Sequence, residues 1–262
     1  MATADDLTLA LALADAADAI SLPRFLAHDF AVESKPDLSP VTEVDRAVEQ
    51  HVSDALRTER PDDALLGEEY GSRGDDTGRR WIIDPIDGTK NFVRGVPVWA
   101  TLIGLYDGEN PVLGVVSAPA LGMRWWARTG GGAHRTTQGG PPQPIQVSQV
   151  ADLADASVSY SSLSGWKERG LRHRFLGLLD DVWRTRAYGD FWSYMMVAEG
   201  VVDVAAEPEL ELYDMAALVP IVTEAGGSFT GLDGAPGPFG VDAVASNGAL
   251  HDIALERIGR QA

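Results

Sequence analysis

Asp84 and Asp87 stand three residues apart in Trp81-Ile82-Ile83-Asp84-Pro85-Ile86-Asp87-Gly88-Thr89-Lys90-Asn91-Phe92, directly after two β-branched apolar residues. This pattern puts two negative charges at the end of a buried strand, where like charges destabilise a fold unless something positive lies between them. Pro85 favours an extended Asp84 and stops the strand ladder. Ile86 and Asp87 then turn the chain, and Gly88-Thr89 opens a helical segment, which brings both carboxylates beside free backbone N–H groups. A hard cation such as Mg2+ prefers carboxylate, carbonyl and water oxygens, and it relieves the repulsion. A phosphate can bridge such an ion and the amides of Gly88 and Thr89. The chemistry on offer is that of a metal-held phosphate.

Asp-Pro and Asp-Gly are also ordinary turn formers, and taken alone the stretch reads first as a turn. Two other acidic places change the reading. Leu66-Gly67-Glu68-Glu69 again sets acid at a strand end, although by itself it reads as a solvated loop. Asp214, in Tyr213-Asp214-Met215-Ala216-Ala217, stands at a helix start, where N-capping is the default role. The three together carry what none carries alone.

The elements that must position these residues follow from pattern. An Ala- and Leu-rich helix is expected over residues 5–26. A clearer one has Val44, Ala47, Val48, His51, Val52, Ala55 and Leu56 at helical spacing, with Thr42 and Asp45 as a capping box. Strands are expected at 81–84, 101–106, 112–117 and 124–128, with residues 107–110 as a hairpin loop. Gln138-Gly139-Gly140-Pro141-Pro142 marks a boundary between an N-terminal lobe, residues 1–140, and a C-terminal lobe, residues 141–262. Beyond it, strands near 157–161, 183–187, 201–205, 228–232 and 243–246 alternate with helices at 171–182, 191–199, 213–225 and 250–258. Pro220 is expected to bend the helix at 213–225. Alternating helices with interspersed hairpins predict mixed sheets.

Composition sets limits on function. The 262 residues are 45% apolar, enough for a substantial core. Lys plus Arg number 21 against 39 Asp plus Glu, a net charge of −18 that repels nucleic acid and anionic lipid. The absence of cysteine excludes disulfides and thiolate catalysis, and the five histidines lack zinc-ligand spacing. Aspartates interrupt the apolar start of the chain, so neither a signal peptide nor a membrane span is expected, and a cytosolic protein is.

Lys35-Pro36-Asp37, Ser39-Pro40-Val41-Thr42-Glu43-Val44-Asp45, Gly67-Glu68-Glu69, the stretch from Trp81 to Phe92, Asp214-Met215-Ala216-Ala217 and Glu224-Ala225-Gly226-Gly227 follow one another in the chain. In identity and order they resemble the inositol monophosphatase superfamily, over nearly the whole length. Tyr213 departs from the Trp more often found there, with an aromatic retained. The resemblance implies a layered αβαβα sandwich with mixed sheets, Mg2+-dependent hydrolysis of a phosphate monoester with two to three ions per site (Mn2+ as substitute), and a homodimer. It assigns Glu68, Asp84 and the Ile86 carbonyl to a first ion, and Asp84, Asp87 and Asp214 to a second, with Glu68 reaching a weaker third. Thr89, with Asp45 and Glu68, would orient and deprotonate the attacking water, and no covalent intermediate forms. Lys35 is either a charge behind the metal ligands or a plain surface lysine.

Asp87, Gly88, Thr89 and Asp214 are expected to bind the phosphate, and specificity is expected from the second lobe, through Arg186, Gly189, Asp190 and Glu207. Arg184-Thr185-Arg186-Ala187-Tyr188-Gly189-Asp190-Phe191 places an acid and a large aromatic where sugar phosphatases of the superfamily carry small residues. Glu207 precedes Asp214 by seven residues, the spacing of the superfamily's substrate-binding glutamate. Two acids at the pocket mouth suit a substrate with a cation far from its phosphate. Histidinol phosphate fits, and the Arg-x-Tyr-Gly-Asp pattern resembles the superfamily's histidinol-phosphate phosphatase branch. Asp190 also suits a helix N-cap, and Arg186 either binds substrate or pairs with Asp190 or Glu207. An inositol or sugar monophosphatase is the nearer alternative, and a protein-binding module on the same fold the more distant one.

Overall fold

The computed structural model describes residues 4–36, 39–75 and 78–259; Asp37 lies outside the described residues. The chain begins with α1 (Ala4–Ala27), a ribbon of β1 (Val32–Ser34) and β2 (Pro40–Thr42), and α2 (Glu43–Glu59). An eight-stranded sheet follows, from β3 (Ala64–Gly67), β4 (Gly71–Arg73) and β5 (Arg79–Asp87). After α3 (Thr89–Arg94) it continues with β6 (Ala100–Asp107), β7 (Asn110–Ala118), β8 (Met123–Arg128), β9 (Ala133–Thr137) and β10 (Gln143–Pro144). Its spatial order is β10-β9-β8-β7-β6-β5-β3-β4, antiparallel except between β3 and β5.

The second sheet draws on later residues. Its elements are β11 (Ser157–Ser159), α4 (Ser164–Glu168), α5 (Arg172–Asp180), β12 (Arg184–Arg186), α6 (Asp190–Ala198), β13 (Val204–Glu207), α7 (Leu212–Met215), α8 (Leu218–Glu224), β14 (Ser228–Thr230), β15 (Ala243–Ser246) and α9 (His251–Ile258). The order is β12-β11-β13-β15-β14, parallel around β11 and antiparallel around β15.

Alternation along the strands builds the layers. On β6, Ile103 and Leu105 face α1 and α2, while Ala100 and Leu102 face α6 and α8. Trp125 joins the second of these cores, and Trp126, pointing oppositely, packs against the first. Beyond the middle helices, Val158, Val204 and Val244 of the second sheet pack on Trp166, Phe175, Ala254 and Ile258 of the outer helices. The result is the expected αβαβα sandwich, a strand buried on both faces reading as an unbroken apolar run.

Three local expectations are corrected. Strand β5 does not stop at Pro85 but runs on to Asp87, with a register slip between Asp84 and Asp87. The Pro85 carbonyl accepts the Thr101 hydroxyl (2.8 Å), so a side chain completes the pairing that the slip leaves open. The helix expected over 213–225 is two helices that break at Ala216–Ala217, ahead of Pro220. Proline has no N–H to bond the carbonyl four residues back, and the Tyr106 hydroxyl donates to that Ala216 carbonyl instead (3.2 Å). On α2, Ala47 and His51 are exposed; beside Val44, Val48, Val52 and Leu56 the buried face takes Asp45, Glu49 and Ser53. A polar stripe one turn apart therefore faces inward, toward the acids of β5.

Candidate metal and phosphate site

Five elements converge where β5 ends. Helix α2 contributes Asp45 through the expected capping box: Thr42 Oγ1 accepts from Val44 N (3.1 Å), and Asp45 Oδ2 accepts from Thr42 N (2.9 Å). Asp45 Oδ1 then lies 3.3 Å from the Thr89 hydroxyl, which is also 2.9 Å from the Ile86 carbonyl. Glu68 follows β3 in a turn whose Glu68 N still donates to Ile83 O of β5 (3.2 Å). Gly88 caps α3 with φ 83°, a left-handed conformation, and an added Cβ would lie 2.9 Å from the Val98 carbonyl. The first turn of α3 leaves N–H groups, those of Gly88 and Thr89 among them, without partners inside the helix.

Asp214 is not the N-cap of its helix. Glu211 is, and Asp214 stands three residues in, its Oδ2 accepting Glu211 N (2.7 Å) in a second capping box. Neighbouring Tyr213 packs with Ile82, Tyr106 and Ala216, the aromatic support expected there. One oxygen from each of Asp84, Asp87 and Asp214 lies within 4.8 Å of the others. Asp87 Oδ2 accepts from Phe191 N (2.8 Å), so Asp87 and Asp214 each keep one oxygen for another ligand. Asp84 is 2% exposed, and its Oδ1 has no hydrogen-bond partner among the described residues.

The electrostatics are those of carboxylates that burial and mutual repulsion act on together. Burial, reinforced by Glu68, Asp87 and Asp214, holds the Asp84 carboxyl well above its ordinary range. Burial does the same to Asp87, with Asp190 and Asp214 adding to it. Asp214 is pushed up to about 7 and Asp45 to about 6, in both cases first by burial. Glu68 is raised by burial despite Lys35, whose ammonium lies 2.7 Å from Glu68 Oε1 and 2.6 Å from Glu69 Oε1. A buried carboxylate oxygen without a donor, among carboxylates alone, fits a hard divalent ion and not a soft one. The residues suit Mg2+.

The far wall comes from the second sheet. Asp190 is not a helix cap: Gly189 holds that position, and Asp190 takes φ 50°, left-handed and uncommon for a residue with a side chain. Its N–H donates to Ser161 Oγ (2.9 Å), and its Oδ2 accepts Asn91 Nδ2 (2.9 Å). Burial lifts its carboxyl to about 6. Glu207, at the end of β13, is lifted by burial to about 8. The Ser161 and Tyr194 hydroxyls face it and pull the other way, yet Glu207 Oε1 completes no well-formed hydrogen bond within the described residues.

The structure thus gathers Asp45, Glu68, Asp84, Ile86, Asp87, Gly88, Thr89, Asp190, Glu207 and Asp214 around one cleft. Arg186 is exposed on the edge strand β12, its guanidinium on the Thr185 carbonyl (2.7 Å), with no ion pair to Asp190 or Glu207 among the described residues. Sequence reasoning passed over Asn91, which ties the metal strand to Asp190, and Tyr194, whose hydroxyl is buried without a well-formed bond. The Asn in Gly88-Thr89-Lys90-Asn91 was the available signal for the first; nothing local marks the second. Ser161, expected as a plain strand end, holds the Asp190 backbone.

Acid-lined strand ends meet a helix start within five layers, an arrangement of the phosphomonoesterase class whose acidic cluster could hold a metal ion. The model of the inositol monophosphatase family matches residues 4–260, and the chain belongs to that family. The histidinol-phosphatase of Mycobacterium tuberculosis is 59% identical over 97% of this chain and 98% of its own length. That of Streptomyces coelicolor is 60% identical over 96% of each chain. Among solved structures, a Thermotoga maritima IMPase superposes with a TM-score of 0.85 at 30% identity, covering 97% of this chain and 96% of that one. The described residues contain no helix long and apolar enough to cross a membrane.

Proposed function

We propose that this phosphatase hydrolyses L-histidinol phosphate to L-histidinol and phosphate, with Mg2+ held by Glu68, Asp84, the Ile86 carbonyl, Asp87 and Asp214. The observation that carries the substrate is the second acid pair, Asp190 and Glu207, buried beyond the metal acids with an oxygen left unsatisfied. An ammonium or imidazolium supplies the missing donors and positive charge, whereas a second phosphate is repelled. The full-length likeness to two histidinol-phosphatases supports the same reading.

Bound Mg2+ supplies a water nucleophile near neutral pH and neutralises charge on the phosphoryl oxygens. The chain does the rest. Amides of Gly88 and Thr89 hold the phosphoryl group. The Thr89 hydroxyl, between Asp45 and the Ile86 carbonyl, orients the attacking water. The water's proton passes to the Asp45 or Glu68 carboxylate as its oxygen bonds phosphorus. The ester P–O bond breaks, and the histidinol oxygen leaves as the alcohol with a proton from water. Asp190 and Glu207 fix the far end of the substrate, which aligns the ester for in-line attack.

Phosphate release from histidinol phosphate and inositol 1-phosphate, each with Mg2+ and with EDTA, tests the reading. Metal-dependent turnover that favours histidinol phosphate is expected. Preference for the inositol ester keeps the metal assignment and removes the role of Asp190 and Glu207; silence on both removes the phosphatase reading. A homodimer is the family expectation, and sedimentation at assay concentration measures it.

A further inference from the structure

We infer that Glu49 is a positioning residue that sets the turn carrying Glu68, and through that turn the affinity of the acid cluster for Mg2+. The inference rests on the Mg2+ reading above. Glu49 is 1% exposed on α2, one helical turn beyond Asp45. Its carboxylate forms no ion pair among the described residues. It accepts two backbone amides of the β3–β4 turn, Oε2 from Glu69 N (2.8 Å) and Oε1 from Tyr70 N (2.9 Å). A buried charge without a basic partner is a costly way to fill space, so its geometry must matter.

Gly67 shows how closely the turn is fitted to this carboxylate. A Cβ added at Gly67 would lie 1.9 Å from Glu49 Oε1 and 2.3 Å from its Cδ. The carboxylate occupies the volume a side chain at 67 would need, which gives the glycine of Gly67-Glu68-Glu69 a physical reason. Helix α2 therefore braces the site at two points four residues apart. Asp45 fixes the Thr89 hydroxyl, and Glu49 fixes the backbone that aims Glu68 at Asp84. Lys35 bridges Glu68 and Glu69 from the outer side, so the turn is clamped between a cation and a buried anion.

Glu49→Gln keeps the volume but turns one acceptor into a donor that opposes a turn amide. Direct Mn2+ binding, read by electron paramagnetic resonance without substrate, separates positioning from plain stability. Partners that orient metal ligands change metal affinity by about 10–100-fold when removed, and a loss of at least about tenfold is expected. Turnover at saturating Mg2+ is expected to return to near the wild-type value. Asp54→Asn, exposed on the same helix, leaves both unchanged. Gly67→Ala is expected to weaken Mn2+ binding likewise, and Glu49→Ala/Gly67→Ala to lose no more than Glu49→Ala alone, because the added methyl then has room.

Wild-type Mn2+ affinity in Glu49→Gln, or strictly additive losses in the double variant, overturns the inference. If Glu49→Gln does not fold, Gly67→Ala decides in its place: weaker binding supports the positioning role, and unchanged binding ends it. Failure of the wild-type protein itself to bind Mn2+ overturns the metal reading, and this inference with it.

Discussion

The acids proposed to hold metal and those proposed to set specificity are both buried or half-buried carboxylates, yet they are built differently. Asp84 and Asp87 ride on one strand in the middle of the eight-stranded sheet, their spacing set by a register slip that Thr101 closes. Asp190 opens helix α6 and Glu207 ends strand β13 of the smaller sheet, and Asp190 is aimed by long-range bonds from Asn91 and to Ser161. Asp190 also holds a left-handed backbone, which costs about 1–2 kcal/mol for a residue with a side chain. Asp84 and Asp87 are set by local backbone, and Asp214 joins them from α7. The recognition wall is assembled, and its assembly carries strain.

Removing a metal acid tests the first group and gives the largest expected effect. Asp84→Asn should lower kcat/KM by about 10³-fold or more on every phosphomonoester, about 4 kcal/mol of transition-state stabilisation. It should also raise the Tm in EDTA, since one buried like charge is gone. A Tm in EDTA below wild type would show that Asp84 is chiefly structural.

Removing charge from the wall should act selectively. Asp190→Asn preserves tolerance of the left-handed backbone, and Glu207→Gln preserves shape. Each should lower kcat/KM on histidinol phosphate by about 10–100-fold, in the range of one charged hydrogen bond, while a neutral polyol phosphate is hydrolysed as before. Equal losses on both substrates would merge the two regions into one catalytic unit. The smallest effect belongs to the joint between the layers. Tyr106→Phe leaves the Ala216 carbonyl without its donor and should cost about 1 kcal/mol of stability, measured by urea unfolding, with activity unchanged.

This contrast also explains what the sequence could reveal. The metal acids were legible because their chemistry is written in consecutive residues, and Thr42 with Asp45 because a capping box is local. The break at Ala216–Ala217 was not, since two alanines favour helix and the visible signal, Pro220, lies beyond the break. Its cause lies four residues before the proline, at the Ala216 carbonyl that Pro220 cannot bond and the Tyr106 hydroxyl takes instead. Glu49 escaped for a similar reason: a charge on an amphipathic helix reads as solvated, and only the backbone amides it meets reveal otherwise. Ala47 and His51, at spacing suited to the core, are exposed because the inward stripe is shared with polar residues. Arg186 was read either as a substrate contact or as a partner of Asp190 or Glu207, and on edge strand β12 its exposed guanidinium meets the Thr185 carbonyl.

Gly104 and Gly114 face each other across β6 and β7, directly beneath the point where α7 gives way to α8. A Cβ at 104 would meet Ala216 at 3.0 Å, and one at 114 would meet the Ala217 carbonyl at 2.1 Å. Main chain therefore rests on main chain just behind Asp214, with only the Ala216 methyl and the Pro220 ring beside it, neither of which has a rotamer to change. A rotamer change can absorb a misfit between ordinary packed layers, but here none is available, so any thickening of the seat passes undiminished into the position of the third metal acid. The seat works as a gauge block: two missing side chains fix the gap between acids contributed by distant parts of one chain.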